Sequence, residues 1–253
     1  MALLEVNKLS KIFGGVRAVQ NVSFAVDAGL VYSVIGPNGA GKTTLFNLIT
    51  GIYTPSEGDI RLNGQSVNGL APHQLARLGV ARTFQNLQVC MNMSALDNVM
   101  VGAHLQLDRN LIKAMLRWPA LGKRDRALRD EARELMAFVG LSAFESAMAD
   151  SMPYGALKRL EIARALAAKP RLLFLDEPAA GLNPKETADI DELVRKLADS
   201  GITVVLVEHD MKMVMNISDR ILVLDYGKKL AEGSADEVRR NPDVIAAYLG
   251  THQ

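Results

Sequence analysis

Alternating hydrophobic and polar positions open the chain and predict a ribbon of strands. Residues 3–35 follow this alternation, and turn signals interrupt it at residues 14–15 and 27–29. A period of two is typical of strands that bury one face, and two strands joined by a short turn pair in antiparallel order. The pattern therefore predicts an antiparallel ribbon that leads into a continuous apolar strand at residues 30–35.

Short apolar runs and helical segments alternate in the second half of the chain. Residues 171–175 and 202–207 are the apolar runs, and segments with helical spacing lie before, between and after them. This alternation is typical of a mainly parallel, doubly wound sheet. The predicted elements are helices at residues 155–168, 185–199 and 211–217, a hairpin at residues 220–232, and a last short helix that begins with the capping-box residues Ser234 and Glu237.

The middle of the chain has a different pattern, because strand signals disappear between residues 86 and 151 and helical spacing replaces them. A helical stretch inserted in an α/β pattern indicates a helical lobe rather than a second α/β domain. The sequence therefore predicts a single α/β domain over residues 1–253. Its core is expected to comprise residues 1–85 and 155–253, with a helical subdomain at residues 86–154.

Composition limits the class of protein. The chain has 253 residues, of which 49% are hydrophobic and 23% charged, as in an ordinary soluble globular protein. Its formal charge of +1 provides no global positive field, so nucleic acid is not an expected partner. The single Cys90 excludes an internal disulfide, and the first residues lack a signal-peptide pattern, which together predict the cytoplasm. No apolar run approaches the roughly 18 residues of a membrane-spanning helix, so we expect any membrane association to be peripheral.

A glycine-rich loop follows the apolar strand at residues 30–35 and precedes a segment with helical spacing. It fits the phosphate-binding pattern Gly-x-x-x-x-Gly-Lys-Thr in the strand, loop and helix context that this pattern requires. In such a loop, backbone N–H groups turn toward phosphate oxygens and the helix dipole adds positive potential. We expect Lys42 to neutralise the β and γ phosphates of ATP and the Thr43 hydroxyl to hold Mg2+. The predicted nucleotide-binding residues of the loop are Gly36, Pro37, Asn38, Gly39, Ala40, Gly41, Lys42, Thr43 and Thr44.

Three further candidate residues follow apolar strands. Asp176 and Glu177 come directly after residues 172–175, and His209 follows the apolar run at residues 203–207. The carboxyl ends of parallel strands form the ligand-binding edge of an open α/β sheet. We expect Asp176 to hold Mg2+ through water, Glu177 to orient and deprotonate the attacking water, and His209 to bond to that water or to the γ-phosphate. The structural alternatives are an acidic helix cap for the carboxylates and an ordinary packed or surface position for His209.

The segment at residues 154–166 resembles the signature motif and the following helix of the ATP-binding cassette (ABC) ATPase family, and the order of the other motifs also matches. The resemblance covers essentially the whole chain. It implies an α/β fold with a RecA-like P-loop core, an N-terminal antiparallel β ribbon and an inserted α-helical subdomain. It also implies that two cassettes close head to tail around two ATP molecules. In this arrangement Phe13 stacks on adenine, Gln85 reaches Mg2+ and the attacking water, Tyr154 and Gly155 contact the partner's ATP, and residues 180–183 cross to the partner.

The signature departs from the commonest form, Leu-Ser-Gly-Gly-Gln, because residues 152–156 are Met-Pro-Tyr-Gly-Ala. Pro153 lacks both the serine hydroxyl and a backbone N–H. The loss of one hydrogen bond to a charged phosphate weakens dimer closure by about 1.5 to 3 kcal/mol. Proline suits the first turn of a helix and the Gly155 N–H remains, so we expect an active site that turns over more slowly.

Within the family, residues 81–86, 175–184 and 224–229 are similar to the larger ATPase of bacterial high-affinity branched-chain amino acid importers, and an insertion at residues 104–122 supports this resemblance. It implies an ATPase at the cytoplasmic face of the inner membrane, with two transmembrane permease subunits, a second homologous ATPase subunit, and indirectly a solute-binding protein as partners. Other readings remain open at this point: lipopolysaccharide export, urea or aromatic-acid uptake, a non-hydrolysing regulatory cassette, and a nucleic-acid-linked ABC ATPase.

Overall fold

The computed structural model describes residues 2–103 and 119–249 of the chain. Its residues form two compact units, which we call the sheet unit, Met1–Arg82 with Arg171–Gln253, and the helical unit, Thr83–Pro170. Most of the insertion expected at residues 104–122, namely residues 104–118, lies outside the described residues.

All named strands of the described chain belong to the sheet unit and form two sheets. An antiparallel sheet has the order β2-β1-β4-β5, and a second sheet has the order β10-β9-β3-β8-β7-β6, parallel except for β10. The predicted ribbon and the predicted mainly parallel sheet are both confirmed. The strands are β1 (Ala2–Phe13), β2 (Val16–Asp27), β3 (Val31–Ile35), β4 (Glu57–Leu62), β5 (Gln65–Ser66), β6 (Val80–Arg82), β7 (Leu172–Asp176), β8 (Thr203–Val207), β9 (Arg220–Asp225) and β10 (Lys228–Gly233).

The helices follow the predicted pattern closely where the sequence was periodic. The helix predicted to be the last is capped as expected, because the Ser234 hydroxyl accepts from Glu237 N and Glu237 Oε2 accepts from Ser234 N. It is not the last, since a further helix follows it at Pro242–Leu249. The helices are α1 (Lys42–Ile49), α2 (Pro72–Arg77), α3 (Ala95–Gly102), α4 (Pro119–Phe138), α5 (Tyr154–Leu166), α6 (Pro184–Asp199), α7 (Met211–Ile217), α8 (Ala235–Arg240) and α9 (Pro242–Leu249).

The centre of the parallel sheet is dry on both faces, which explains its apolar sequence. Every residue of β3, β7 and β8 is buried. Helix α1 packs on this sheet through Phe46, whose ring meets that of Phe174 edge to face at 5.1 Å between centroids. Because these strands run parallel, their carboxyl ends lie along one edge, and the segments that follow β3, β7 and β8 meet there.

The helical unit contains α3, α4 and α5, with two short 3-10 turns at Ser142–Phe144 and Ala149–Ser151. Helices α3 and α5 approach so closely at Gly102 that an added Cβ would overlap the carbonyl oxygen of Arg164. This packing groups α5 with the helical unit, whereas the sequence placed residues 155–170 with the core. The expected domain boundaries at residues 85/86 and 154/155 therefore differ from the contact boundaries after Arg82 and Pro170.

The close approach of α3 and α5 gives a stability prediction. In Gly102→Ala, the new methyl group would meet a backbone oxygen that cannot rotate away, so the helices must separate. We expect the free energy of unfolding, measured by urea denaturation, to fall by about 2 to 3 kcal/mol. The matched control is Val101→Ala at an exposed position of the same helix, with a change below about 0.5 kcal/mol. Equal effects of the two substitutions would contradict the described packing.

Candidate functional site

The glycine-rich loop between β3 and α1 is shaped by close approach of other backbone segments. Gly36 has φ 151°, and a Cβ there would overlap the carbonyl oxygen of Leu224. Gly41 has φ 98°, and a Cβ there would lie 2.5 Å from the carbonyl oxygen of Ala18. Both positions thus exclude a side chain for steric as well as conformational reasons. The loop is held between the ribbon and the end of β9.

The first turn of α1 is open to an anion. Gly41 precedes the helix and provides no side-chain cap, and the first turn contains no acidic residue. The first N–H groups of a helix have no partner within the helix, and the helix dipole makes this end positive. Thr43 is exposed in this turn and Thr44 is half-buried. The arrangement has the features of a phosphate-binding helix start.

Lys42 is buried at the base of the loop, with 9% of its surface exposed. Its ammonium group donates to the carbonyl oxygens of Gly36 at 2.6 Å and Pro37 at 3.0 Å. Burial lowers the pKa of Lys42, while the negative charges of Glu177 and Asp176 oppose that shift. The structure therefore places the lysine of the loop within electrostatic reach of both predicted carboxylates.

Asp176, at the end of β7, forms a buried ion pair that the sequence analysis did not predict. Its Oδ2 accepts from Arg82 Nη2 at 2.8 Å, and both side chains are at most 7% exposed. A second guanidinium nitrogen of Arg82, Nη1, donates to Asn47 Oδ1 in α1 at 2.6 Å and to Oγ1 of Thr50, the C-cap of that helix, at 2.9 Å. Arg82 thus connects β6, β7 and α1. No sequence signal identifies Arg82 as the partner of Asp176, because β6 and β7 are neighbours only in the folded sheet.

Glu177 and His209 lie together at the adjacent strand ends. Glu177 has φ 50°, a left-handed conformation that is unusual for a residue other than glycine and is often found at functional sites. Its N–H donates to the carbonyl oxygen of Val207, which joins the turn after β7 to the end of β8. His209 Nε2 is 3.4 Å from Glu177 Oε2, and the Glu177 side chain is 15% exposed. The two predicted catalytic groups are therefore adjacent and accessible from solvent.

Glu208 is a second structural residue that the sequence analysis passed over. It is almost fully buried, and its carboxylate accepts from Ala179 N at 2.9 Å and from His209 N at 3.1 Å. Burial raises the pKa of Glu208, and these backbone hydrogen bonds oppose the rise. Glu208 therefore fixes the backbone of His209 relative to the segment that follows Glu177. Its position directly before His209 in the sequence could have identified Glu208 as a residue that supports the site.

The donor groups at this edge fit Mg2+ bound with a nucleotide. Within residues 2–103 and 119–249, no group of three or more His, Cys, Asp and Glu side chains could hold a metal ion by itself. Mg2+ in nucleotide sites takes most of its ligands from phosphates and water and only one or two from protein oxygens. The Thr43 hydroxyl and the Asp176 carboxylate are oxygen donors of the required kind.

Gln85, Tyr154 and Gly155 belong to the helical unit. Gln85 is exposed in the segment that follows β6, and Tyr154 and Gly155 form the first turn of α5. Pro153 precedes this helix in an extended conformation and provides no side-chain cap, so the first N–H groups of α5 have no side-chain partner there. Proline at this position is compatible with the helix start, as expected.

Within the helical unit, α5 is bonded to the segment that contains Gln85. Glu161 is buried, and its Oε1 accepts from the N–H groups of Phe84 at 3.3 Å and Gln88 at 3.4 Å. Arg164 Nη1 donates to the carbonyl oxygen of Gln88. The Gln85 segment and the signature helix therefore form one bonded structure. Nothing in the sequence pattern singled out Glu161, because a charged residue in a helix is usually exposed.

Phe13 ends β1 in the sheet unit and is 41% exposed. The ribbon that carries it contacts the glycine-rich loop where Ala18 meets Gly41. Residues 180–183 lead into α6, and Asn183 caps that helix by accepting from the N–H groups of Lys185 and Glu186. Of the predicted residues, the sheet unit therefore contains the phosphate loop, Phe13, Asp176, Glu177 and His209.

Comparison with known proteins identifies the class. The sequence profile of the family described as ABC transporter matches residues 19–180, and that of the branched-chain amino acid ATP-binding cassette transporters matches residues 228–253. The chain belongs to the ABC transporter family and is one of its ATP-binding cassettes, an ATPase. The predicted class and fold are thereby confirmed.

Individual relatives match over almost the whole chain. The high-affinity branched-chain amino acid transport ATP-binding protein BraF of Pseudomonas aeruginosa is 47% identical over 98% of both chains. LivG of Escherichia coli, which bears the same description, is 46% identical over 98% of both. The lipopolysaccharide export system ATP-binding protein LptB of Escherichia coli is 34% identical over 99% of this chain and 98% of that protein.

Solved structures agree with this assignment. The ADP conformation of MJ1267, an ATP-binding cassette of an ABC transporter, has a TM-score of 0.87 and 32% identity, and 99% of each chain is covered. The dimeric structure of MJ0796, a bacterial ABC transporter cassette, has a TM-score of 0.76 and 25% identity over 92% of this chain and 98% of that one. Among residues 2–103 and 119–249, no helix combines the length and apolarity needed to cross a membrane.

The buried ion pair gives a first prediction for the site. In Arg82→Leu, the Asp176 carboxylate would remain buried without its guanidinium partner, which costs about 3 to 5 kcal/mol. We expect the free energy of unfolding in urea to fall by that amount. Arg195→Leu is the matched control, because Arg195 and Asp219 pair at the surface with 44% and 28% exposure, and its effect should stay below about 1 kcal/mol. Similar losses of stability in both variants would contradict the expectation that the buried ion pair contributes more than the exposed one.

An acidic cluster beside His209 gives a pH prediction. Burial, with the charges of Asp210 and Glu208, raises the pKa of Asp191 from its ordinary value of 3.8 to about 6. Within the described residues, Asp191 Oδ1 has no hydrogen-bond partner. Because the folded chain keeps this proton to higher pH than the unfolded chain, Asp191 increasingly destabilises the fold as pH rises from about 4 to above 6.

Replacement of Asp191 should therefore stabilise the protein more in alkaline than in acidic solution. We expect Asp191→Asn to raise the free energy of unfolding by about 1 to 2 kcal/mol at pH 8, a value discounted for solvent screening, and by about half as much at pH 5. Urea unfolding at both pH values measures the difference. Asp189→Asn removes the same charge from an exposed position of α6 and controls for net charge. A gain for Asp191→Asn that did not change with pH would disprove the assignment.

Proposed function

We propose that this ATPase is a subunit of a high-affinity importer of branched-chain or other hydrophobic amino acids, acting at the cytoplasmic face of the bacterial inner membrane. The observation that carries the solute class is the 47% identity, over 98% of both chains, to a protein described as a branched-chain amino acid transport ATP-binding protein. The profile match at residues 228–253, outside the general ABC profile, supports the same class.

The geometry at the sheet edge supports a division of roles in hydrolysis. The N–H groups of the loop and of the first turn of α1 would bind the phosphates of ATP, together with Lys42. Glu177, accessible and next to His209, would orient the attacking water and accept its proton. His209 would bond to that water or to the γ-phosphate, and Glu208 holds its backbone in place.

The metal ion would be held by Thr43 and Asp176 together with phosphates and water, and the metal role of Gln85 stays a prediction from the family resemblance. Mg2+, when bound, neutralises phosphate charge and lowers the repulsion that an attacking water encounters. Arg82 contributes indirectly, because its ion pair holds the Asp176 carboxylate at the end of β7. Phe13, on the exposed end of the ribbon, would stack on the adenine base.

The working unit in this proposal is a pair of cassettes. The phosphate loop covers one side of ATP, and the first turn of α5 from a partner, with Tyr154 and Gly155, would close the other. The dimeric structure of the similar cassette MJ0796 supports such pairing. The partner would be a second homologous ATPase, and the pair would act on two transmembrane permeases supplied by a solute-binding protein.

Lipopolysaccharide export is the principal alternative. The chain is 34% identical to the export ATPase LptB, compared with 47% to BraF at similar coverage. Lys42 donates to a carbonyl oxygen of the phosphate loop, and Glu177 lies beside His209 at the same edge of the sheet. This arrangement disfavours a regulatory cassette that does not hydrolyse ATP. Among these alternatives, import of hydrophobic amino acids is therefore the function that the observations support best.

Glu177→Gln tests the catalytic assignment and the transport function together. The amide preserves shape but cannot accept a proton, so we expect ATP binding near the wild-type affinity and phosphate release at least about 100-fold slower. In cells that lack the endogenous gene, the wild-type gene should restore uptake of labelled leucine, isoleucine and valine, whereas Glu177→Gln should not.

Glu192→Gln is the matched control, because it changes an exposed carboxylate in the middle of α6. We expect it to keep both phosphate release and uptake. Normal phosphate release by Glu177→Gln would refute the role of Glu177 as the base. Hydrolysis without restored uptake of any branched-chain amino acid would leave the ATPase assignment intact and refute branched-chain amino acids as the solute.

A further inference from the structure

The exposed ring of Phe13 lies beside the side chains of Tyr53 and Lys11. Its centroid is 5.2 Å from that of Tyr53, and the ring planes meet at 75°. The Lys11 ammonium lies 5.0 Å from the centroid of Phe13 and 5.9 Å from that of Tyr53. We call these three side chains the aromatic bracket. Edge-to-face rings and a cation over a ring are both attractive arrangements, so the neighbours restrict the orientation of Phe13.

The bracket is held in place from two directions by backbone hydrogen bonds. On one side, Tyr53 N donates to the carbonyl oxygen of Asn47 in α1, the helix that begins with Lys42. On the other side, Ile12 N donates to Ser56 Oγ and Ser56 N donates to the carbonyl oxygen of Ser10. The segment that carries Tyr53 is therefore bonded both to the phosphate-binding helix and to the strand that carries Phe13.

Lys11 completes this arrangement. Its ammonium donates to the carbonyl oxygen of Thr54 at 2.7 Å, which fixes the cation beside both rings. Phe13 nevertheless keeps 41% of its surface exposed, and Tyr53 keeps 37%. A partly exposed ring whose other contacts are fixed is preorganised for a planar ligand, because little side-chain freedom remains to be lost on binding.

We propose that Tyr53 is a positioning residue for adenine recognition. Its ring holds Phe13 in the orientation that stacks on the base and links that orientation to the phosphate-binding helix. The inference rests on the proposed role of Phe13. It adds that base recognition depends on a residue from the segment after α1, and that removal of the Tyr53 ring weakens binding of the base without weakening binding of the phosphates.

A double-mutant cycle in the full-length chain tests this inference. The variants are Phe13→Ala, Tyr53→Leu, the double variant and Tyr53→Phe, with Ile52→Ala as the matched control at an exposed neighbouring position. Titration calorimetry gives the Kd for Mg-ATP and for Mg-tripolyphosphate, which has the phosphates but no base. Thermal unfolding checks that each variant is folded.

We expect Tyr53→Leu to raise the Kd for ATP by about 2- to 10-fold and to leave the Kd for tripolyphosphate unchanged. In steady-state hydrolysis its KM should rise while kcat stays the same. Tyr53→Phe keeps the ring and should restore the wild-type Kd, and Ile52→Ala should match wild type. Because Tyr53 acts through Phe13, the double variant should bind ATP no more weakly than Phe13→Ala.

The possible failures are distinguishable. If Phe13→Ala binds ATP like wild type, the proposed stacking role of Phe13 is wrong, and the inference that depends on it is overturned. If Phe13→Ala weakens ATP binding but Tyr53→Leu does not, the stacking role stands and the role of Tyr53 is wrong. An equal loss of ATP and tripolyphosphate affinity in Tyr53→Leu would also overturn the inference, since it would indicate a general structural role.

Discussion

The sheet unit depends on how closely other backbone segments approach the phosphate loop. Neither Gly36 nor Gly41 has room for a Cβ, because carbonyl oxygens of Leu224 and Ala18 occupy that space. The same region is bonded further, since Gly227 N donates to Ala40 O and Gln20 N donates to Gly227 O. The loop, the ribbon and the turn after β9 are therefore held together by backbone contacts. A loop whose backbone is fixed by such contacts needs less ordering when it binds phosphate.

Charge balance at the carboxyl edge of the sheet is the second organising feature. Lys42, Arg82 and Asp176 are buried there and Glu177 is partly exposed, so two positive charges lie close to two negative ones. An unpaired buried charge would be costly, so the groups stabilise one another while remaining close to where a nucleotide would lie. The carboxyl group of Asp191, on α6, holds a proton to a higher pH because of its burial and the like charges of Asp210 and Glu208, which Lys212 offsets only in part.

Local runs of residues predicted the elements that carry the candidate site, whereas distant pairings could not be predicted from them. The phosphate loop, the two carboxylates at the end of β7 and the capping box of α8 were read from adjacent positions, and each lies in the expected element. Arg82 was missed as the partner of Asp176, because the two residues are 94 positions apart and meet only when β6 and β7 pair. The grouping of α5 with the helical unit includes the close approach of α3 and α5 at Gly102, a glycine that no local pattern distinguishes.

The sequence by itself determined the class of the protein, the order of its strands and helices, and the residue types available for nucleotide chemistry. These follow from hydrophobic periodicity and from a loop whose function requires consecutive backbone N–H groups, and both are properties of neighbouring residues. Only the tertiary structure decided which charges are paired, which carboxyl group has its pKa raised by burial and like charges, and which ring lies beside Phe13. Burial and pairing depend on groups that the fold brings together from distant parts of the chain, and their energies change with the surroundings that only the folded state provides.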